Sequence, residues 1–280
     1  MIKNNHTVTA PIAYLAESNT APRIRVFPPA SGKPVERPEN IYVDMPIEDI
    51  RAWEERPTLD REGFAFHQHK SSCTDFYDDE RVKNLYYPEV AATVQSFTGA
   101  LAVFVFDHNV RSEVRAARGQ RGVRTPVDGA HVDYTEASGP KRVGEILEQF
   151  DRSELAQHHA ALINLWRPIT GPVQDVPLAL CDAHSVAQSE LVETPILHYG
   201  EDREDEPRHT GVIYSLYYGV QHHWAYVSAM QPDEVLLLKC YDSLNDGRAR
   251  FMAHTGFRNP ACPKEFTPRE SIEARTLVIF

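Results

Sequence analysis

His131 and Asp133 stand two residues apart in "AHVDYT" (130–135). In an extended strand, residues i and i+2 point to one face, so this imidazole and this carboxylate would aim at one point. Such a pair grips a metal ion from one side. The other side is left to a third ligand and to incoming molecules. With 13 histidines and 40 acidic residues among 280 positions, chance alone gives about two His-x-Asp/Glu matches. The chain contains one, His131-Val132-Asp133. Taken by itself, the pattern more often marks a polar pair on a half-wet strand than a metal site.

A third ligand has to come from elsewhere. His254 lies in the strand-like "ARFMAHTGF" (249–257), 121 positions beyond Asp133. Its competitors are His198, His209 and the pair His222–His223. The first two flank the acidic stretch "EDREDEPRH" (201–209), which reads as a solvated loop. The pair is adjacent, so at most one of its rings faces inward. Two histidines and a carboxylate on one face form the facial triad of non-haem Fe(II) sites. His254 is preferred because of the C-terminal segment beyond it, "PRESIEARTLVIF" (268–280), where Arg269 and Ser271 again share a face. A guanidinium beside a hydroxyl suits a carboxylate ligand. This is the single Arg-x-Ser among 22 arginines, with about one expected by chance. The plain alternative is a surface pair on an edge strand. Arg275 shares that face and is the reserve anion binder.

These residues need strands to hold them. Nine short segments rich in β-branched and aromatic residues fit that need. They are "ALAVFVFDHNVRS" (100–112), "HVDYT" (131–135), "ALINLWRPI" (161–169), "PLALCDA" (177–183) and "GVIYSLYYGV" (211–220). Later come "HHWAYVSAM" (222–230), "EVLLLKCYDS" (234–243), "ARFMAHTGF" and "SIEARTLVIF" (271–280). Many short strands joined by turns predict a mainly β protein, a sandwich or a closed jelly roll. Peripheral helices are expected at 46–57, 86–100 and 140–150. Residues 1–45 read as an N-terminal arm on a single 280-residue domain, able to exchange between the protomers of a homodimer. "FHQHKSSCTDFYDD" (66–79) reads as a loop or lid over the site.

Composition narrows the function. A formal net charge of −11 argues against nucleic acid or an anionic membrane surface as partner. The four cysteines include no C-x-x-C pair, which predicts reduced thiols in a cytoplasmic protein. No signal peptide and no apolar run of membrane-spanning length is visible.

The longer segments carry a resemblance. "HVDYTEASGPKRV", "INLWRPITGPVQDVPLALCDAHSV", "QPDEVLLLKCYDS", "ARFMAHTGF" and "PRESIEARTLVIF" resemble the AsaB-type hydroxylase/desaturase family of Fe(II)/2-oxoglutarate-dependent dioxygenases. Gibberellin desaturase and the cephamycin methoxylase system lie in the same neighbourhood. The resemblance covers residues 85–280. It implies a double-stranded β-helix, a cupin-like jelly roll, with Fe(II) bound and with 2-oxoglutarate and O2 as co-substrates. It carries iron ligation onto His131, Asp133 and His254. It carries the distal carboxylate of 2-oxoglutarate onto Arg269, with Ser271 as helper. The 15 positions from His254 to Arg269 exceed the common spacing. The implied activity is hydroxylation or desaturation of a small molecule of secondary metabolism, with release of succinate and CO2.

Further positions are assigned from the strand pattern. Asn164 and Trp166 share a face of "INLWRPI" and Arg167 takes the other. Asn164 is a candidate for 2-oxoglutarate or substrate, against the equal claim of a satisfied core amide. Arg167 is a candidate for a substrate carboxylate, against a structural ion pair. Tyr217 or its neighbour Tyr218 would line the pocket, and Trp224 and Tyr226 would be core. Two other functions compete: a jelly-roll metal enzyme that does not use 2-oxoglutarate, and a non-catalytic small-molecule-binding module.

Overall fold

The computed structural model describes residues 6–28, 31–201 and 205–280. In chain order its strands are β1 (Thr7–Leu15), β2 (Ile24–Val26), β3 (Asn40–Asp49), β4 (Phe64–Gln68) and β5 (Ala102–Ser112). Next are β6 (Val123–Arg124), β7 (His131–Val132), β8 (Ala160–Pro168), β9 (Leu178–Cys181) and β10 (Leu191–Tyr199). The last five are β11 (Pro207–Leu216), β12 (Trp224–Tyr226), β13 (Glu234–Asp242), β14 (His254–Gly256) and β15 (Glu270–Ile279). They form a nine-stranded sheet ordered β1-β3-β12-β9-β14-β7-β11-β10-β2 and a six-stranded sheet ordered β4-β13-β8-β15-β5-β6. The two sheets face each other as a jelly roll, and all nine expected strand segments supply strands to them.

Alternation along the strands sets the layers. In β15, Leu277 and Ile279 enter the core between the sheets, while Ile272, Ala274 and Val278 pack outward. In β8, Ala160 and Leu162 face inward, and Ala161, Ile163 and Leu165 face outward. The outward face is covered by the helix Tyr87–Thr98 through Val90 and Val94. Both faces of β8 are therefore apolar and all nine of its residues are buried, which explains its unbroken hydrophobic run. Gly99 ends that helix in the left-handed conformation, as its place after the apolar face predicts. The helix expected at 140–150 runs Ser138–Gln149.

Three expectations change. Residues 46–57 are not a helix: β3 runs through Asp49, and a short 3-10 turn covers Ile50–Ala52. Pairing of β3 with β1 along Thr7–Leu15 takes up the backbone hydrogen bonds, and Met45 and Ile47 alternate into the core. Residues 7–15 and 40–49, read as parts of an arm, are thus strands of the larger sheet. They pair with each other, and β3 pairs onward with β12. The 66–79 stretch supplies Phe76 and Tyr77 to the wall of a cavity at the edge of β5, while its first part runs as β4 and then along the outer side of the six-stranded sheet. There His67 stacks on Phe97 at 3.9 Å between ring centres, and His69 meets Thr93 and Arg167. Part of the acidic loop, residues 202–204, lies outside the described residues. No helix among the described residues is long and apolar enough to cross a membrane.

Candidate metal centre

β7 is only two residues long, pinned between β11 and β14. The β14 pairing sets His254 directly opposite His131, and residues so paired project to one face. Their ring centres are 4.6 Å apart. Asp133 comes directly after β7, and its Oδ1 lies 3.6 Å from His131 Nε2. One ligand atom from each of His131, Asp133 and His254 falls within 4.8 Å of the others. The His131 Nδ1–H donates to the Gly129 carbonyl at 2.8 Å, the tautomer that leaves Nε2 to a metal.

The electrostatics match that arrangement. Burial alone would raise Asp133. Arg275 and the two histidines outweigh it and hold the carboxyl well below the usual carboxylate range. Burial, with His131 adding to it, pushes His254 down to about 3 and keeps its ring neutral. Two imidazoles and one carboxylate, with an open side, fit a divalent iron ion.

The open side continues into a narrow slot along the inner face of the six-stranded sheet. Register organises that face in rows. Asp107, Arg275 and Asn164 lie side by side across β5, β15 and β8; Asn109, Glu273 and Trp166 form the next row. In the third row Arg111 stands opposite Ser271, with Arg269 just before β15. His131, Asp133, His254, Trp166, Arg269 and Arg111 all line the slot.

Arg269 is 4% exposed. Its Nε donates to Ser271 Oγ at 3.2 Å, its Nη1 to the Val176 carbonyl at 2.8 Å, and its guanidinium lies 5.0 Å from the Trp166 ring centre. Among the described residues no side-chain carboxylate pairs with it. Burial and then the neighbouring charge of Arg111 push Arg269 down to about 9. The long segment between His254 and Arg269 is tied back along its length. Asn259 N–H donates to the Asp175 carbonyl, and the Asp175 carboxylate accepts from the Arg269 N–H. An enclosed cation beside a hydroxyl, on the slot that carries His131, Asp133 and His254, has the chemistry that suits a carboxylate.

Other expected positions fall elsewhere. Arg167 is on the outer face, 1% exposed, against Tyr86 and bonded to His69 Nδ1, with no access to the slot. Even alternation along β8 sends it there. Tyr217 lies past the end of β11, half-buried and outside the slot lining, and Tyr218 packs edge-on against Tyr14. His222 is the inward-facing member of its pair, held by Tyr14 and Glu190. Asn164 reaches Asp133. Trp224 and Tyr226 are core, as expected.

Arg111 and Glu273 belong to the slot, yet no spacing singles them out in the sequence. Burial and the charge of Asp133 raise Glu273, while burial lowers Arg111. A larger cavity of about 430 Å³ lies at the edge of β5, with Tyr87, Phe106, Asp107 and Asn109 in its wall. Asp107, in its wall, pairs with Arg275 of the slot, whose Nη1 is 3.3 Å from Asp107 Oδ2.

Comparison with known proteins decides the family. The hydroxylase/desaturase CTB9 of Cercospora beticola is 34% identical over 253 residues, spanning 84% of this chain and 75% of its own. The hydroxylase/desaturase efuI of Hormonema carpetanum is 32% identical over 258 residues, with 84% and 82% covered. The chain belongs to this hydroxylase/desaturase family of Fe(II)/2-oxoglutarate-dependent dioxygenases. A family model described as an oxidoreductase/YMDC permease-like domain also matches residues 12–279. The solved structure of the iron and alpha-ketoglutarate-dependent endoperoxidase NvfI superimposes with a TM-score of 0.84 at 27% identity, covering 99% of both chains. The family's cofactor chemistry is that of Fe(II), 2-oxoglutarate and O2, and the triad and the arginine slot are the places in this chain that suit them.

Proposed function

We propose that this dioxygenase hydroxylates or desaturates a small-molecule intermediate of secondary metabolism while converting 2-oxoglutarate and O2 to succinate and CO2. The observation that carries the proposal is a buried guanidinium without a carboxylate partner among the described residues, Arg269, on the same slot as His131, Asp133 and His254. In this reading the triad holds Fe(II), which when bound supplies the oxidising chemistry for an unactivated C–H bond. Arg269 and Ser271 take the distal carboxylate of 2-oxoglutarate and so fix the reach of its other end toward the triad. Trp166 packs under the guanidinium and keeps water from it. The cavity at the β5 edge has the size of a small-molecule site, with Tyr77, Tyr87 and Phe106 beside charged groups such as Lys83 and Arg124 in its wall, and we assign the substrate to it. The same reading makes the enzyme cytoplasmic, in keeping with four free cysteines. Sedimentation at micromolar concentration tests the accompanying proposal of a homodimer.

Adding 2-oxoglutarate to the Fe(II) protein without oxygen tests the assignment. A keto acid chelated to Fe(II) gives a visible charge-transfer band. The wild type is expected to show it, and His131→Ala to lose both the band and succinate formation. A wild-type protein that binds Fe(II) but gives no band would falsify the use of 2-oxoglutarate at this site.

A further inference from the structure

Asp133 has two carboxylate oxygens in different surroundings. Oδ1 lies on the side of His131 Nε2, at 3.6 Å. Oδ2 accepts a hydrogen bond from Asn164 Nδ2 at 2.8 Å. Arg275 Nε lies 3.5 Å from the same Oδ2, close enough for an ion pair though outside hydrogen-bond geometry. Asn164 and Arg275 come from neighbouring strands in direct register, so their side chains rise from one face toward one target. Arg275 is itself held from three sides, by Asp133, by Glu273 at 3.5 Å and by Asp107 at 3.3 Å.

We propose that Asn164 and Arg275 are positioning residues for the iron carboxylate, taking Oδ2 so that Asp133 meets the metal through Oδ1 alone. This rests on the triad holding the metal. It replaces the co-substrate roles that the sequence suggested for both residues. The nearest anions to both are the protein's own carboxylates: Asn164 Nδ2 donates to Asp133, and Arg275 has Asp133, Glu273 and Asp107 around it, whereas Arg269 has no carboxylate partner among the described residues.

The consequence is a coordination count. With iron bound, two imidazoles and one carboxylate oxygen would leave three positions of the ion for the keto acid and O2. A carboxylate free to turn and bind through both oxygens would take one of those positions. A fixed orientation also spares the site the entropy of ordering the carboxylate on metal binding.

The test is a titration of the metal-free protein with Co(II), whose visible bands report coordination number, alongside KM for 2-oxoglutarate at saturating Fe(II). Asn164→Ala and Arg275→Gln are expected to weaken Co(II) binding about 10- to 100-fold and to change the band intensities. KM for 2-oxoglutarate should stay within about twofold of wild type, since the Arg269 receptor is untouched. Arg275→Lys keeps the charge and should recover part of the affinity. Thermal unfolding of the metal-free variants separates a folding defect from a binding one, and Asn164→Ser provides a milder change at the same atom. Unchanged Co(II) affinity and spectrum in folded variants would overturn the proposal. So would a rise in KM with metal binding intact, which would return both residues to the co-substrate. A wild-type protein that binds no divalent metal would instead overturn the triad itself.

Discussion

Arg269 is the residue on which the proposed use of 2-oxoglutarate rests. A guanidinium enclosed to this degree ordinarily has a carboxylate beside it, because an unpaired buried charge is costly. Here the polar partners are a hydroxyl and a carbonyl, and the remaining donor capacity faces the slot. Losing a charge-assisted hydrogen-bonding pair costs roughly 2–3 kcal/mol, or about 30- to 150-fold in affinity. Arg269→Met should therefore raise KM for 2-oxoglutarate by that factor. Because the charge is unpaired without its ligand, the metal-free variant should melt no lower than wild type, which differential scanning calorimetry measures. Arg111→Ala, opposite Ser271 on the same slot, should raise the same KM to a smaller extent. An unaltered KM in both variants would remove the co-substrate from this end of the slot.

Among the elements, the helix Ser138–Gln149 governs how firmly Asp133 is held. The turn leading into it is tied by Thr135 N–H to Ser138 Oγ, and Ser138 Oγ–H donates to the Val212 carbonyl of β11. Gly139 lies flat against the Tyr241 ring, and a Cβ there would collide with it. Overpacking of this kind costs about 1–3 kcal/mol. Gly139→Val should lower the urea midpoint accordingly, and it should weaken iron binding because the turn begins two residues after Asp133. The sequence alone marks this helix clearly, since its apolar residues recur on one face. It does not mark Gly139, because the ring that excludes a side chain comes from β13, about 100 positions away.

For the molecule as a whole, the strands before residue 50 are part of the barrel that shapes the site. Ile12, Tyr14 and Ile47 are fully buried, and the Tyr14 hydroxyl accepts from Trp224 Nε1 at 2.7 Å inside the core. Deleting residues 1–39 would leave β3 and β12 without that cover and expose the apolar ends of both. The truncated chain should be recovered mainly as aggregate, or should melt well below the full chain. A soluble truncation with an unchanged melting temperature would make the segment an accessory after all.

Strand-forming segments, the His131–Asp133 spacing and the Arg269–Ser271 pair are local patterns, and the sequence alone determined them. So did the mainly β class and the family, which rest on runs of residues rather than on contacts. Which histidine completes the triad depends on β14 pairing beside β7 across more than 120 positions. Which face of β8 carries Asn164 and which carries Arg167 also depends on partners distant in sequence. The segment read as an arm went astray for the same reason. Its place was settled by β12, the strand to which β3 pairs. Spacing reports which side chains could act together. Only tertiary pairing decided that Arg275 and Asn164 meet on one oxygen of Asp133 while Arg269 is left free for a ligand.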